Sequence, residues 1–238
     1  VHNSFFRCYT IHGTHGVLLA QNTAYNAIGN CFYLSEDGVE ENNTVQHNLA
    51  AHVHILGNMQ DPSLGRSGNG WWGQYLGYYT NSSSLIVPAD MSAAPFYVTN
   101  MYNTIEGNAA SGGWTGFSFP NLPAPIADFK NVDNMNPANR PFKTPFRGNT
   151  AHSSGFWWAS ASAFYFGGEM TYTDSSKTTL QYTEGRANTL HDTCADKTMG
   201  TPKGSGGCYD LSQQLWLDIE DNKAFLANRG LPPWGNRA

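Results

Sequence analysis

One short pattern returns five times along this chain: Asn, any residue, Ala, then a Gly a few positions later. The copies are Asn22-Thr23-Ala24 with Gly29, Asn48-Leu49-Ala50 with Gly57, Asn108-Ala109-Ala110 with Gly112, Asn149-Thr150-Ala151 with Gly155, and Asn222-Lys223-Ala224 with Gly230. A repeat constrains the fold strongly, because no unit can bury its apolar side without its neighbours. Short apolar runs lie near the copies: Val17-Leu18-Leu19, Phe32-Tyr33-Leu34, Phe96-Tyr97-Val98, Phe117-Ser118-Phe119, Phe164-Tyr165-Phe166 and Leu215-Trp216-Leu217. Runs this short, separated by Asn and Gly, read as strands joined by turns. The expected fold is all-β, a right-handed parallel β-helix with inserted loops, and the plainer alternative is a β-sandwich with Asn-rich turns. In it the Asn occupies a left-handed turn and bonds its counterpart in the next coil, and the small Ala points into a crowded interior. The first two copies are 26 residues apart, about one coil. The later spacings of 60, 41 and 73 residues leave room for extra coils or inserted loops.

Composition removes the main alternatives. With 238 residues, 23 Asn and 25 Gly, the chain is poor in helix formers, which excludes a helical bundle or coiled coil. Its 13% aromatic content and net charge of −5 are the opposite of a disordered segment. No basic cluster is present to grip nucleic acid. No apolar run reaches the ~18 residues of a membrane-spanning helix. The stretches Ser63 to Gly77, Pro120 to Pro145 and Asp174 to Gly207 read as insertions, and no linker divides residues 1–238, so a single domain is expected. The chain starts at Val1 without a leader and already reads as mid-coil, the expectation for a piece of a larger extracellular polypeptide or assembly.

The four cysteines, Cys8, Cys31, Cys194 and Cys208, form no C-x-x-C pair. Together with the sequons at Asn42 and Asn81 they point to an oxidising, extracellular or cell-surface setting. A disulfide is expected between Cys194 and Cys208, which bracket a polar, Gly-rich loop. Cys8 and Cys31 lie about one coil apart and could pair or pack as free thiols.

The order of motifs is itself distinctive. Ile11-His12-Gly13-Thr14-His15-Gly16-Val17 leads into Asn22-Thr23-Ala24-Tyr25-Asn26, then Gly29-Asn30-Cys31-Phe32-Tyr33-Leu34-Ser35-Glu36-Asp37-Gly38-Val39-Glu40. Pro95-Phe96-Tyr97-Val98-Thr99-Asn100, Gly107-Asn108-Ala109-Ala110-Ser111-Gly112 and Phe146-Arg147-Gly148-Asn149-Thr150-Ala151-His152-Ser153 follow. This series resembles the β-helix region of the family of cell-migration-inducing hyaluronan-binding protein, transmembrane protein 2 and fibrocystin-L. The resemblance covers roughly residues 1–160 and returns at Asp221 to Phe225. It implies a secreted or cell-surface β-helix and, for some members, hyaluronan binding or depolymerisation. The chain departs from the family pattern at Asn30, where a His is usual, and at Ser35, which shifts the acidic pair by one residue.

Three groups of side chains could carry chemistry. Glu36, Asp37 and Glu40 form an acidic turn, the best catalytic candidate. Paired carboxylates can hydrolyse a glycoside, and their oxygens could hold Ca²⁺, although no cofactor is required. The plainer reading is a solvated Asp-Gly turn. His52 and His54 are two apart on a strand and face one side, the start of a metal site that needs a third ligand from His47 or Glu40. The plainer reading is histidines stacked along a β-helix face. Trp71, Trp72, Tyr75 and Trp114 could stack on sugar rings, or could fill an insertion's own core. Ser153 beside His152 is discounted as a nucleophile, because neighbours on a strand point to opposite faces.

Two functions fit this reading. One is a structural or adhesive extracellular module in a cell-surface or filamentous assembly, meeting neighbouring β-helix modules or copies of itself end to end, with glycan contact at its surface. The other is a depolymerase of hyaluronan or a related polysaccharide.

Overall fold

The computed structural model describes residues 1–34, 37–54, 93–122, 124–132, 135, 137, 140–155, 162–172, 175–178, 180–183 and 217–231. Through its first four coils the chain winds through three sheets in strict rotation. The first coil contributes β1 (His2–Ser4), β2 (Tyr9–Ile11) and β3 (Leu18–Ala20). The second contributes β4 (Thr23–Ile28), β5 (Phe32–Leu34) and β6 (Thr44–Gln46), and the third β7 (Leu49–His54), β8 (Phe96–Val98) and β9 (Thr104–Glu106). The fourth has β10 (Ala109–Gly112), β11 (Phe117–Asn121) and β12 (Phe146–Arg147). After β13 (Thr150–His152) come the long β14 (Phe164–Tyr172), β15 (Leu180–Thr183), β16 (Ile219–Glu220) and β17 (Lys223–Phe225).

Corresponding strands of successive coils pair in parallel. Sheet A runs β1-β4-β7-β10-β13-β17, sheet B β2-β5-β8-β11-β14-β15, and sheet C β3-β6-β9-β12-β16. Among the described residues, only β14 and β15 pair antiparallel. This is the expected parallel β-helix. Residues 55–92, which lie outside the described residues, separate β7 from β8 in the sequence, and their number accounts for the longest spacing between the early Asn-x-Ala copies.

Each copy of that pattern has the same local geometry. The residue before the Asn, not the Asn itself, is left-handed: Gln21, His47, Gly107, Gly148 and Asp221 have φ between 50° and 66°. The expectation of a left-handed Asn is therefore corrected by one position. The preceding residue makes the bend, and this turns the amide inward. Asn48 Oδ1 accepts from Asn22 N and Nδ2 at 3.0 Å, Asn108 Oδ1 accepts from Asn48 Nδ2 at 3.0 Å, and Asn149 Oδ1 accepts from Asn108 Nδ2 at 3.1 Å. Asn222 Oδ1 extends the ladder by accepting from Asn149 N at 2.9 Å. The buried amides thus satisfy backbone groups that the turn takes out of the sheets.

The Ala that follows by two positions faces the interior. Ala24, Ala50, Ala110 and Ala151 are buried in register. Small residues there leave room for the large rings of sheet B, as close packing demands. Tyr9, Phe32, Phe96, Phe117 and Phe164 form a stack with centroids 4.6–5.3 Å apart. Cys8 and Cys31 are joined in a disulfide between the first two coils, with Cα atoms 4.6 Å apart. This resolves the alternative left open for that pair. The expected bridge of Cys194 with Cys208 lies outside the described residues.

Sheet B is covered on its outer face as well. Tyr33 and Tyr97 point outward there and pack with Leu122, Ile126 and Met170. Leu122 and Ile126 belong to the Pro- and Asn-rich insertion, so that segment folds back onto the coils rather than projecting from them. Its short 3-10 helix, Ala127–Phe129, lies beside the corner between sheets B and C.

Candidate functional site

The B-to-C corner gathers three ionisable side chains from two successive coils. β2 ends at Ile11, paired with Leu34 at the end of β5. The chain then carries His12 out of one coil and Asp37 and Glu40 out of the next. His12 Nδ1 lies 3.0 Å from Asp37 Oδ2. Glu40 Oε1 accepts a hydrogen bond from the Gly13 N–H at 2.8 Å. One ligand atom from each of His12, Asp37 and Glu40 falls within 4.8 Å of the others. Asp37 and Glu40 are fully buried, whereas the His12 side chain is 47% exposed.

The local sequence builds this turn. Gly38 sits at φ +81°, and a Cβ there would meet Pro137 Cγ at 2.8 Å and also strike Leu122. Only glycine allows both this backbone and the close approach of the insertion. Asn100 Nδ2 donates to Gly38 O at 3.0 Å and Asn103 Nδ2 to Glu40 O at 2.8 Å. Ile126 N donates to Asp37 O at 3.1 Å, which ties the insertion to the turn. Phe129 packs beside His12, with centroids 6.2 Å apart. Asp128 Oδ2 lies 3.9 Å from His12 Nε2, on the far side of the ring from Asp37. Glu41 pairs with Arg140, which also stacks over Tyr102 at 4.9 Å.

The expectation of a solvated acidic turn is thus corrected for Asp37 and Glu40, because the insertion covers them. Glu36 lies outside the described residues, as do Trp71, Trp72, Tyr75 and Asn81. Asn42 is exposed at φ 67°, just before the buried Asn43. Trp114 is fully buried and meets Tyr165 edge to face at 4.6 Å, so the expected sugar platform is corrected to a core side chain. Asn30 is also buried, and its Oδ1 accepts from Ala94 N at 2.7 Å. At this position the chain has a structural amide.

His52 and His54 do share one face, with ring centroids 4.1 Å apart. The third ligand does not join them: Glu40 is with His12 and Asp37, and His47 lies at the C-to-A corner against Gly107. Among the described residues, the single cluster of three metal-ligating side chains is His12, Asp37 and Glu40. His52 instead stacks on Tyr25 at 5.8 Å, and His54 Nε2 contacts Asn26 Oδ1 at 3.2 Å. Partial burial, and then the neighbouring His52, hold the His54 pKa below its ordinary value. His152 Nδ1 and Ser153 Oγ are 3.0 Å apart. Strand alternation fails to separate them because Ser153 is left-handed, at φ 55°.

His12 is the site residue that sequence reasoning did not place. The signal was present in the coil period, since residues just past the end of one strand lie beside those just past its counterpart.

The family model of the CEMIP beta-helix matches residues 1–158. The chain belongs to that family. It is 46% identical over 237 residues to Protein rliB of Dictyostelium discoideum, an alignment covering 100% of this chain and 19% of that protein. Communication mutant protein F of the same organism is 40% identical over 235 residues, 99% of this chain and 19% of its own length. Human Fibrocystin-L is 31% identical over 157 residues, 66% of this chain and 3% of its own length. This CEMIP beta-helix chain therefore spans under a fifth of the relatives it matches. No solved structure matches it. No helix among the described residues is long and apolar enough to cross a membrane.

Proposed function

We propose that this chain is a rigid β-helix module of a secreted or cell-surface protein, with a structural or adhesive role. It meets neighbouring coils, from other modules or from further copies of itself, along the axis of the solenoid. The observation that carries this reading is the axial register. The Asn ladder and sheet A hold one register through all five copies of the pattern, from Asn22 to Asn222 and β17. Strands kept in one register along an axis suit pairing with further coils of the same kind. Aromatic residues Trp71, Trp72 and Tyr75 remain the part of the sequence best suited to glycan contact.

A second reading, depolymerisation of an acidic polysaccharide, rests on the 3.0 Å contact between His12 and Asp37, with Glu40 beside them. Such a pair could serve in acid–base chemistry. Against it stands the burial of both carboxylates, which leaves His12 as the exposed member. Sedimentation of the purified protein, paired with product analysis after incubation with hyaluronan with and without Ca²⁺, separates the two readings. Concentration-dependent association that weakens in Phe225→Glu, without cleavage products, supports the structural role. A strict monomer that releases oligosaccharides, with release lost in Asp37→Asn, replaces it with the enzyme.

A further inference from the structure

We propose that His12, Asp37 and Glu40 form a binding site for a divalent first-row transition metal, of which Zn²⁺ is the probe of choice. The inference is independent of whether the module is a scaffold or an enzyme. It starts from the donor set. One imidazole nitrogen and two carboxylate oxygens converge within 4.8 Å, drawn from two coils that the β-helix holds in fixed register. A mixed nitrogen and oxygen set suits zinc-type ions, whereas Ca²⁺ takes oxygen ligands throughout. The imidazole therefore moves the assignment away from the Ca²⁺ that an all-carboxylate turn would suggest.

Charge and geometry point the same way. Burying two carboxylates side by side is expensive unless positive charge accompanies them. A dication between His12 Nδ1 and Asp37 Oδ2 would add positive charge beside both carboxylates. Those atoms are 3.0 Å apart, and tetrahedral ligands about 2.0–2.1 Å from zinc need only slightly more separation.

Around the donors, Asp128 Oδ2 lies 3.9 Å from His12 Nε2, too far for a direct hydrogen bond, so this exposed carboxylate acts on the ring through its charge alone. Glu40 is oriented in turn by the Gly13 N–H. The exposed side of His12 provides an entry path and room for a water ligand. Because Ile126 of the insertion donates to Asp37 O, a bound ion would link the first coil, the second coil and the segment that covers sheet B.

The test uses the whole chain, stripped with chelator, dialysed and titrated with ZnCl₂ at pH 7.5 by calorimetry and thermal unfolding. One equivalent should bind, and saturation should raise Tm by about 5 °C or more. His12→Ala, a change at a half-exposed position that leaves the fold intact, should abolish uptake. Asp128→Asn should weaken it by under about tenfold, and a His52→Ala/His54→Ala double variant should retain it. The proposal is overturned by absence of saturable Zn²⁺ binding, by binding that survives His12→Ala, or by binding that disappears with His52 and His54. An equal Tm rise from CaCl₂ at the same concentration overturns the metal class.

Discussion

Sheets A and B line the same interior, yet their outer faces differ. On sheet B the outward Tyr33, Tyr97, Ser118 and Tyr165 are all buried. On sheet A the outward Tyr25, Leu49 and Phe225 are 40–53% exposed. The strands already announce this. Those of sheet B read Phe-Tyr-Leu, Phe-Tyr-Val and Phe-Tyr-Phe, apolar at every position, as strands covered on both faces do. Those of sheet A read Thr-Ala-Tyr, Thr-Ala-His and Lys-Ala-Phe, with one small apolar residue facing inward. Sheet A strands contain no Asp or Glu and carry His2, His52, His54 and His152, four of the chain's eight histidines. One solenoid thus presents a wet face and a dry one, and the difference comes from where its insertions fold back.

The largest test of this contrast removes an outward tyrosine from each face. Tyr97→Ala should cost about 3–5 kcal/mol, the usual range for emptying a large aromatic site in a core. Its ring stacks on Tyr33 at 5.1 Å beneath Leu122 and Ile126. Tyr25→Ala should cost under about 0.5 kcal/mol, as surface substitutions do. Urea unfolding of both variants measures the difference, and equal midpoints would show that the insertion does not seal sheet B.

The sequence and the structure agree where physics is local or periodic. Asn at the 26-residue spacing marked the ladder, and Ala two positions on marked the interior. The apolar triplets marked strands, except Leu215-Trp216-Leu217, of which Leu215 and Trp216 lie outside the described residues and Leu217 precedes β16. Contacts made by insertions were harder to read. Trp114 looked like a surface ring because a Gly-rich neighbourhood suits both a binding loop and a tight, buried corner. Gly113, at φ +75° with Ala93 O and Pro95 close by, marks the second case. Asp37 looked solvated because nothing in Glu36-Asp37-Gly38 announces Leu122 and Pro137 lying on it. His12 escaped notice for a related reason: its partners are 25 and 28 residues later, and coil register alone brings them together.

A smaller effect tests how sheet A holds without an outer cover. Asn149 Oδ1 accepts from both Asn108 N and Asn108 Nδ2, while its own Nδ2 donates to Ile105 O at 3.1 Å. Asn149→Leu leaves these buried groups without partners and should cost about 1–3 kcal/mol. Thr150→Leu, on the outer face one residue later, should stay within about 0.5 kcal/mol. Similar losses in the two variants would mean that the ladder does not fasten the corner between sheets C and A.

The smallest effect is a pH dependence belonging to the wet face. His54 lies on β7, and both its partial burial and its neighbour His52 lower its pKa from 6.5. The folded chain therefore binds this proton less readily than the unfolded chain. As pH falls below about 6.5, the unfolded state takes up more protons and stability declines. Above that value the contribution of His54 is fully present. Because the side chain is mostly solvated, screening should keep the loss below about 0.5 kcal/mol. His54→Gln should flatten the fall in Tm between pH 7.5 and pH 5. His52→Gln should flatten it less, since it removes only the second of the two causes. The strands of sheet B carry no histidine, so a Tyr97→Ala background should lower Tm without changing this slope. A slope that changes with Tyr97 would show that the two faces are coupled through the core.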